Sequence, residues 1–398
     1  MAGLAGVAEH GRAARSGRTP RVSPHVDRAR AHCWAWAVDM RMVAPEPDRE
    51  QLTIWDPAAF DAMDFALFAA STHPDAPAPV LDLLADWYVW LFYVDDVLTE
   101  VRHRGGMPAV KDLVAHTAAL MPPSTVLPGT PANPAERGAA DLCARTAGWA
   151  SPAWFDRMTG HMRATLHEMR WTLANIDQDR LPNPVEHVEA RRAFGGMLWA
   201  ADMVELGCSI ELDAATARLR PVRLLAEALG DAIGLRNDLV SFRKEIEEGE
   251  ASSNAVAVFR DFLGCDLGTA AKIVHDLYDA RLRQFDHLVD VDLPEVVADL
   301  QIDRATQDLL HRKIEGLRDW LAGDEHWILT SGRYVRPAAA DVALPPPATA
   351  PATTALTRTT ATTEAGEDRP WRARGGLGPS GLGTSAARPP GVPGSLRD

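Results

Sequence analysis

The segment between Asp86 and Glu100 restricts what this chain can fold into more than any other feature of the sequence. Residues 87–94 are eight consecutive apolar or aromatic residues, and a helix that is apolar on every side must be buried. The acidic residues Asp95, Asp96 and Glu100 follow. Neighbouring carboxylates raise one another's pKa and here face the negative end of a helix dipole, so they need a positive partner. A hard divalent cation, which prefers oxygen ligands, is the simplest such partner.

Helical periodicity is the dominant pattern from about residue 25 to residue 336. Apolar residues recur at helical spacing, as in Leu219, Val222 and Ala226. Alternation of the strand type is nearly absent, and Ala, Leu, Glu and Arg, which favour helices, are abundant. We therefore predict an all-α fold with a single helical domain over residues 25–336.

The two ends of the chain differ in composition from this central part. Residues 337–398 hold ten of the 29 prolines and eight of the 29 glycines, which is typical of a disordered tail. Residues 1–24 are small, basic and interrupted by Gly and Pro. The sequence therefore predicts a disordered N-terminal segment over residues 1–24 and a disordered Pro/Thr/Gly-rich tail over residues 337–398.

Charge and cysteine content exclude several classes of function. The formal net charge of −14 disfavours non-specific binding to nucleic acid. The longest apolar run has eight residues, far fewer than the roughly 20 that a membrane-spanning helix needs, and the first residues lack the apolar core of a signal peptide. The four cysteines are dispersed, as expected for reduced thiols. We expect a cytoplasmic protein with no membrane span.

A second cluster of oxygen donors lies at residues 237–245. Asn237, Ser241 and Glu245 are spaced four residues apart, so on a helix their side chains lie on one face within about 80°. An amide, a hydroxyl and a carboxylate in this register, completed by waters and a substrate phosphate, match the octahedral coordination of Mg²⁺. This pattern is more specific than an isolated acidic pair.

Together these motifs resemble those of bacterial class I terpene synthases. DDVLTE at 95–100 is similar to the family's aspartate-rich motif, and NDLVSFRKE at 237–245 is similar to its NSE motif. Arg191 resembles the family's diphosphate-sensing arginine, and Arg333 with Tyr334 resembles the carboxy-terminal pair that closes over the diphosphate. The similarity covers most of the chain and extends to the amino-terminal cyclase domain of germacradienol/geosmin synthases.

The resemblance implies a class I terpenoid synthase-type bundle with a central active-site cavity. It also implies a carbon–oxygen lyase that ionises and cyclises a prenyl diphosphate, most simply (2E,6E)-farnesyl diphosphate, and releases diphosphate. A germacradienol- or eudesmol-type product, three Mg²⁺ ions and a homodimer are the corresponding expectations. The implied metal ligands are Asp95, Asp96, Glu100, Asn237, Ser241 and Glu245. The implied diphosphate-binding residues are Arg191, Lys244, Arg333 and Tyr334, of which Arg191, Arg333 and Tyr334 are the catalytic candidates.

Four further residues are candidates for the cavity wall. Aromatic rings stabilise cations, and Phe68, Phe92 and Trp327 lie near the motifs or on apolar helices. Gly195 follows Arg191 at an expected helix break, where its backbone carbonyl would point toward the substrate. Phe194 departs from the polar residue that many members of the family carry at this position, so the triggering of ionisation is expected to differ in detail.

Two other functions remain open from the sequence. A chain-elongating prenyltransferase shares the helical fold, but it needs a second aspartate-rich motif where this chain has Asn237 and Ser241. A non-catalytic helical binding protein would be expected to lose a ligand or the sensor arginine, and neither is lost. The sequence therefore favours the cyclase.

Overall fold

The structure, a computed structural model, describes residues 2–121 and 130–334. The predicted tail at 337–398 lies outside the described residues. The described part is built from helices and contains no β-strand, only one isolated β-bridge between Val43 and Trp55. This confirms the predicted all-α fold class. Over the same ranges, every helix is too short or too polar to span a membrane.

Fifteen α-helices are present in the described residues, together with short 3₁₀ turns at Arg49–Gln51 and Ala251–Ser253 and a π-helical turn at Leu288–Asp292. The α-helices are α1 (Ala2–Ala13), α2 (Val26–Asp39), α3 (Pro57–Met63), α4 (Phe65–Thr72), α5 (Ala78–Ala119), α6 (Pro134–Thr146), α7 (Pro152–Asp177), α8 (Pro184–Phe194), α9 (Met197–Gly207), α10 (Ala214–Ala217), α11 (Arg220–Glu248), α12 (Ala255–Leu263), α13 (Leu267–His287), α14 (Leu293–Asp299) and α15 (Arg304–Ile328).

Several helix starts follow from the local sequence. Asn133, Ser151 and Asn183 each cap a helix by accepting a hydrogen bond from a backbone N–H group, and each is followed by proline at the first helical position. Proline fits there because its missing N–H group has no partner within the helix. Asn183 therefore marks the beginning of α8, which carries Arg191.

Helix α5 forms the centre of the bundle, as its apolar sequence predicts. Trp87, Tyr88 and Trp90 are at most 1% exposed, and α5 contacts α2, α4, α6, α7 and α9. Helix α11 packs against α13, α1, α9, α15 and α8, while α15 packs against α4, α9 and α11. The two predicted motifs therefore lie on α5 and α11, and α4, α8, α9 and α15 complete the walls around them.

The N-terminal segment corrects one prediction. Residues 1–24 were expected to be disordered, but they contain α1, which packs on α11 and α13. Val7 is buried, and Gly11 lies so close to the Leu239 backbone that a Cβ atom at Gly11 would be 3.2 Å from it. Farther along, Arg18 forms a salt bridge with Asp319 of α15 at 2.7 Å. The small residues that suggested disorder instead allow a close helix crossing.

Candidate functional site

A cleft of about 1040 Å³, counted together with the space at its solvent-open mouth, lies between α4, α5, α8, α9, α11 and α15. One part of its wall is apolar and largely aromatic, formed by Phe68, Tyr88, Leu91, Phe92, Met169, Phe194, Met197, Trp199, Ile233, Trp320 and Trp327, among others. The polar side chains of the cleft come from the two motif regions, from α8 and from the end of the described chain. They include Asp95, Arg191, Asn237, Ser241, Lys244, Glu245, Arg333 and Tyr334. The cleft therefore combines an apolar chamber with charged and oxygen-donor groups.

The adjacent acids of α5 are held by Arg333. Its Nη2 atom lies 3.1 Å from Asp95 Oδ2 and 2.8 Å from Asp96 Oδ1, and its Nη1 atom donates to Asp96 Oδ2 at 2.9 Å. The guanidinium also lies over the Phe92 ring, 4.9 Å from its centroid. Trp55 Nε1 donates to Asp96 Oδ2 at 2.9 Å. The positive partner that the acidic pair requires is thus supplied from the other end of the domain.

Burial and Arg333 act on the two acids in opposite directions. Burial raises the pKa of Asp95, and the charge of Arg333 offsets this only in part. At Asp96 burial also acts to raise the pKa, but the charge and hydrogen bonds of Arg333 outweigh it and the pKa is lowered. The pKa of Arg333 itself is raised, because the acids outweigh its burial. Asp96 and Arg333 therefore form an ion pair. Asp95 contacts the same guanidinium, but its pKa stays raised.

Glu100 lies apart from this pair. It forms salt bridges with Arg49 at 2.5 Å and with Arg104 at 2.7 Å. It lines a groove outside the main cleft, which it shares with Asp95 and Asp96. Glu100 therefore lies on the same side of α5 as the two acids, but its carboxylate is paired with two arginines.

Three predicted oxygen donors lie along one face of α11. Asn237 accepts a hydrogen bond from Arg191 Nη2 at 2.5 Å and donates from Nδ2 to the Tyr334 hydroxyl at 3.0 Å. Ser241 Oγ donates to Glu245 Oε1 at 2.6 Å. The helical spacing therefore places the amide, the hydroxyl and the carboxylate along the cleft as predicted, and Asn237 joins two of the predicted diphosphate-binding residues.

Glu245 and Arg191 lie in a strongly charged environment. Burial and the negative charge of Asp238 raise the pKa of Glu245, although hydrogen bonds from Ser241 and Asn254 partly oppose them. Burial acts to lower the pKa of Arg191, but the charge of Asp238 outweighs it and the pKa is raised. Arg191 is therefore a half-buried, charged guanidinium beside the donors of α11.

The comparisons with known proteins agree with this geometry. The family model described as "Terpene synthase family 2, C-terminal metal binding" matches residues 86–284, half of the 398-residue chain. The chain belongs to this family. The match begins in α5 and ends in α13, so it contains both motifs, Arg191 and the helix break after it.

Relatives and solved structures agree with membership of terpene synthase family 2. Pristinol synthase of Streptomyces pristinaespiralis is 27% identical over 79% of this chain and 82% of its own length. The 7-epi-alpha-eudesmol synthase ((2E,6E)-farnesyl diphosphate cyclizing) of Streptomyces viridochromogenes is 28% identical over 79% of this chain and 89% of its own length. The crystal structure of germacradien-4-ol synthase from Streptomyces citricolor has a TM-score of 0.68 at 22% identity, covering 79% of this chain and 96% of that one. This last similarity supports the class I terpene synthase fold.

The aromatic cavity candidates of this family member lie together. The Phe68 and Trp327 ring centroids are 4.6 Å apart, and those of Phe92 and Trp327 are 5.1 Å apart. All three residues line the cleft, as does Gly195. In the break between α8 and α9, Gly196 has a left-handed backbone conformation, with φ of 67°. Gly195 has φ of −71° and does not. Glycine is needed at 196 because other residues rarely adopt this conformation.

Asp238 is a site residue that the sequence analysis missed in this terpene synthase. Its carboxylate, 1% exposed, accepts from Arg191 Nε at 2.8 Å and from the Ala255 backbone N–H at 2.9 Å, and lies 2.9 Å from His187 Nε2. A detectable signal existed, since Asp238 is followed by the apolar residues Leu239 and Val240, and an acid that is buried with them needs a cationic partner. Trp55, by contrast, gave no local signal.

The donor set fits a hard divalent cation. Asp95, Asn237, Ser241 and Glu245 offer carboxylate, amide and hydroxyl oxygens to one cleft, and these are the ligands that Mg²⁺ takes. Within residues 2–121 and 130–334, no three His, Cys, Asp or Glu side chains form a ready-made metal cluster. The donors are instead divided between the two helices, with Asp95 on α5 and Asn237, Ser241 and Glu245 on α11.

Proposed function

We propose that this protein is a Mg²⁺-dependent sesquiterpene synthase. It ionises (2E,6E)-farnesyl diphosphate, releases diphosphate and cyclises the hydrocarbon chain to a sesquiterpene or sesquiterpene alcohol of the germacradienol or eudesmol type. The substrate is the one named for the eudesmol synthase relative, and a muurolol synthase relative from Roseiflexus castenholzii is also named as cyclising it. The reaction is that of a carbon–oxygen lyase acting on diphosphates.

A single observation carries the proposal, which is the division of the cleft into two parts. Arg191, Lys244, Arg333 and Tyr334 converge with the oxygen donors of α5 and α11 on one cleft. The same cleft continues into a wall of aromatic side chains. A diphosphate ester of a long apolar alcohol has the same division, with about three negative charges at one end and a hydrocarbon at the other.

The cation would be held by residues of both motifs. Asp95 and Asp96 on α5, and Asn237, Ser241 and Glu245 on α11, are the proposed ligands, with Glu100 as a further candidate once it leaves Arg49 and Arg104. When bound, three Mg²⁺ ions would supply six positive charges that bind the diphosphate and stabilise it as a leaving group. Without such charge, the carboxylates would repel the substrate.

The basic residues bind the leaving group from the other side. Arg191 and Arg333 donate charge-assisted hydrogen bonds, which are bidentate for a guanidinium on a phosphate. Lys244 adds a point charge and Tyr334 a neutral donor. Asp238 and His187 keep Arg191 oriented toward the cleft, since Arg191 Nε is bonded to Asp238 while its Nη2 reaches Asn237.

The aromatic wall protects and stabilises the cation that forms. Phe68, Phe92 and Trp327 present rings to the cleft, and a desolvated cation–π contact contributes about 2 kcal/mol. Because bulk water would quench an allylic cation, the chamber must exclude it. Arg333 over Phe92 and Tyr334 edge-on to Trp327, with centroids 5.6 Å apart, close the aromatic wall at the polar end.

The decisive experiment is an incubation of purified protein with farnesyl diphosphate and Mg²⁺. We expect diphosphate release and a cyclic C15 product detected by gas chromatography with mass spectrometry, and EDTA should stop both. Unchanged substrate would refute the proposal. A longer diphosphate formed after addition of isopentenyl diphosphate would instead identify a chain-elongating prenyltransferase. Binding of the substrate without turnover would identify a non-catalytic binding protein.

Site variants test the assigned roles. Arg191→Ala and Asn237→Ala should abolish turnover while the far-ultraviolet circular dichroism stays unchanged. Arg243→Ala is the matched control, because Arg243 lies on the same helix, exposed, and pairs with Glu247 at 3.1 Å instead of lining the cleft. Full activity of either site variant would remove that residue from the mechanism.

We also propose a cytoplasmic protein that forms a homodimer and does not bind nucleic acid. The four cysteines are free thiols, and the net charge is −14, which supports both the reducing compartment and the absence of nucleic-acid binding. Size-exclusion chromatography with light scattering tests the dimer. A monomer at micromolar concentration would contradict it.

A further inference from the structure

Asp324 is a carboxylate of the cleft that lies outside both metal motifs. Asp324 lines the same cleft as Asp95, Glu245 and Glu250, but it lies on α15 between Trp320 and Trp327. These three residues are spaced four and three positions apart, so they share one helical face. Asp324 therefore projects into the aromatic part of the wall, where the hydrocarbon chain of the proposed substrate would lie.

Asp324 is balanced by a buried arginine. It is 7% exposed, and its Oδ2 atom bonds Arg236 Nη2, whose side chain is 1% exposed. A lone buried carboxylate would be costly in an apolar wall, and the guanidinium of Arg236 supplies a hydrogen-bonded counter-ion for it. Because Arg236 takes Oδ2, the other oxygen is left for a second partner. The pair adds no net charge to the chamber, so it does not compete for the cation.

Glu325, the next residue, is also buried near Arg236, but its carboxylate lies outside the cleft. It is 6% exposed, and its Oε2 atom lies 3.9 Å from Arg236 Nη1. The same oxygen accepts hydrogen bonds from the backbone N–H and the hydroxyl of Ser16, at 3.2 and 2.8 Å. Glu325 does not line the cleft. The two neighbouring acids thus share a counter-ion but face different surroundings.

We propose that Asp324 accepts the proton that is lost when the cationic intermediate is terminated, in the reaction proposed above. If the proton comes from carbon, the C–H bond next to the cationic centre breaks and its electron pair forms the double bond. If water attacks, an oxygen lone pair forms the C–O bond and one O–H bond breaks, its electrons remaining on oxygen. In both cases the proton goes to Asp324, and charge is conserved.

The test compares Asp324→Asn with the wild-type enzyme. Ionisation precedes termination, so diphosphate release should stay within about tenfold of wild type, while the ratio of the main product to by-products should change by at least about tenfold. Glu325→Gln, which removes the neighbouring charge, should keep the wild-type profile. Incubation in ¹⁸O-labelled water identifies the proton source: label in the product indicates water, and an unlabelled hydrocarbon indicates carbon.

A second variant covers the case in which Asp324→Asn does not fold, because it leaves Arg236 without its ionic partner. Replacing both members, as Arg236→Met with Asp324→Leu, removes the carboxylate and the guanidinium together, and such exchanges are often tolerated. An unchanged product profile in whichever of the two variants folds would overturn the role of Asp324 and leave the proposed function standing. Loss of diphosphate release at an unchanged melting temperature would overturn it too, because it would assign Asp324 to an earlier step. A wild-type enzyme without turnover would overturn the proposed function as well.

Discussion

His73 should make the stability of this protein depend strongly on pH. The residue follows α4, is 4% exposed and lies against α9, where a Cβ atom at Gly207 would be 2.6 Å from its Nδ1 atom. Its Nε2 atom is 2.6 Å from the Tyr88 hydroxyl, which also accepts from Trp320 Nε1 at 2.8 Å. Burial lowers the pKa of His73 from 6.5 to about 3. The folded protein therefore holds a neutral imidazole.

The sign of the effect follows from proton binding. Between pH 6.5 and about 3, the unfolded chain binds a proton at His73 that the folded protein does not. The free energy of unfolding therefore has its full value above pH 6.5 and falls as the pH is lowered. A difference of about 3.5 pH units corresponds to about 5 kcal/mol in total, of which about 2 kcal/mol is lost by pH 5 and about 4 kcal/mol by pH 3.

Urea denaturation at pH 7 and pH 5 measures this loss. The wild-type protein should lose about 2 kcal/mol more over this interval than His73→Gln, which has no imidazole to protonate. His116→Gln is the control, because the His116 side chain is 73% exposed, and it should lose as much as the wild type. Equal losses in His73→Gln and the wild type would refute the assignment of a buried neutral imidazole.

Three further predictions test other parts of the structure. Gly323→Ala would place a Cβ atom 2.3 Å from the Ser71 backbone, so the free energy of unfolding measured in urea should fall by at least about 2 kcal/mol. Gly160→Ala is the control, because no atom lies nearer than 3.9 Å to the added Cβ atom. Its free energy of unfolding should be unchanged or higher by about 0.5 kcal/mol. Asp238→Asn removes the charge that orients Arg191, so kcat of diphosphate release should fall about 30-fold, or about 2 kcal/mol, with a smaller change in KM; an effect on KM alone would argue against positioning. Removal of residues 337–398 should leave kcat unchanged, because every proposed site residue lies at or before Tyr334, and lost activity would assign the tail a catalytic part.

The sequence was sufficient for the parts of the site that depend on local geometry. Helical spacing alone places Asn237, Ser241 and Glu245 on one face, and the structure has them on α11 along the cleft. The apolar run before Asp95 predicts a buried helix, and α5 is one. In both cases the residues lie within a few turns of one helix, so the helical repeat alone determines which of them share a face.

Contacts between distant residues could not be predicted in the same way. Trp55 reaches Asp96 across 41 positions, and Arg236 meets Asp324 across 88. No local pattern marks such pairs, since they depend on how whole helices pack. The error at residues 1–24 has the same origin. Their composition suits disorder, but Val7 is buried because α11 and α13 offer it a surface.

The pairing of Arg333 with Asp95 and Asp96 links metal binding to diphosphate binding in the proposed reaction. The two acids are tolerated side by side because one guanidinium bonds both of them and offsets part of their charge. A divalent cation held by these carboxylates would supply that positive charge instead, and Arg333 would then be available to bind the diphosphate. Asn237 makes a similar link on α11, because its amide bonds Arg191 and Tyr334 and is also a proposed ligand. Metal and diphosphate should therefore bind cooperatively, since each frees groups that the other needs.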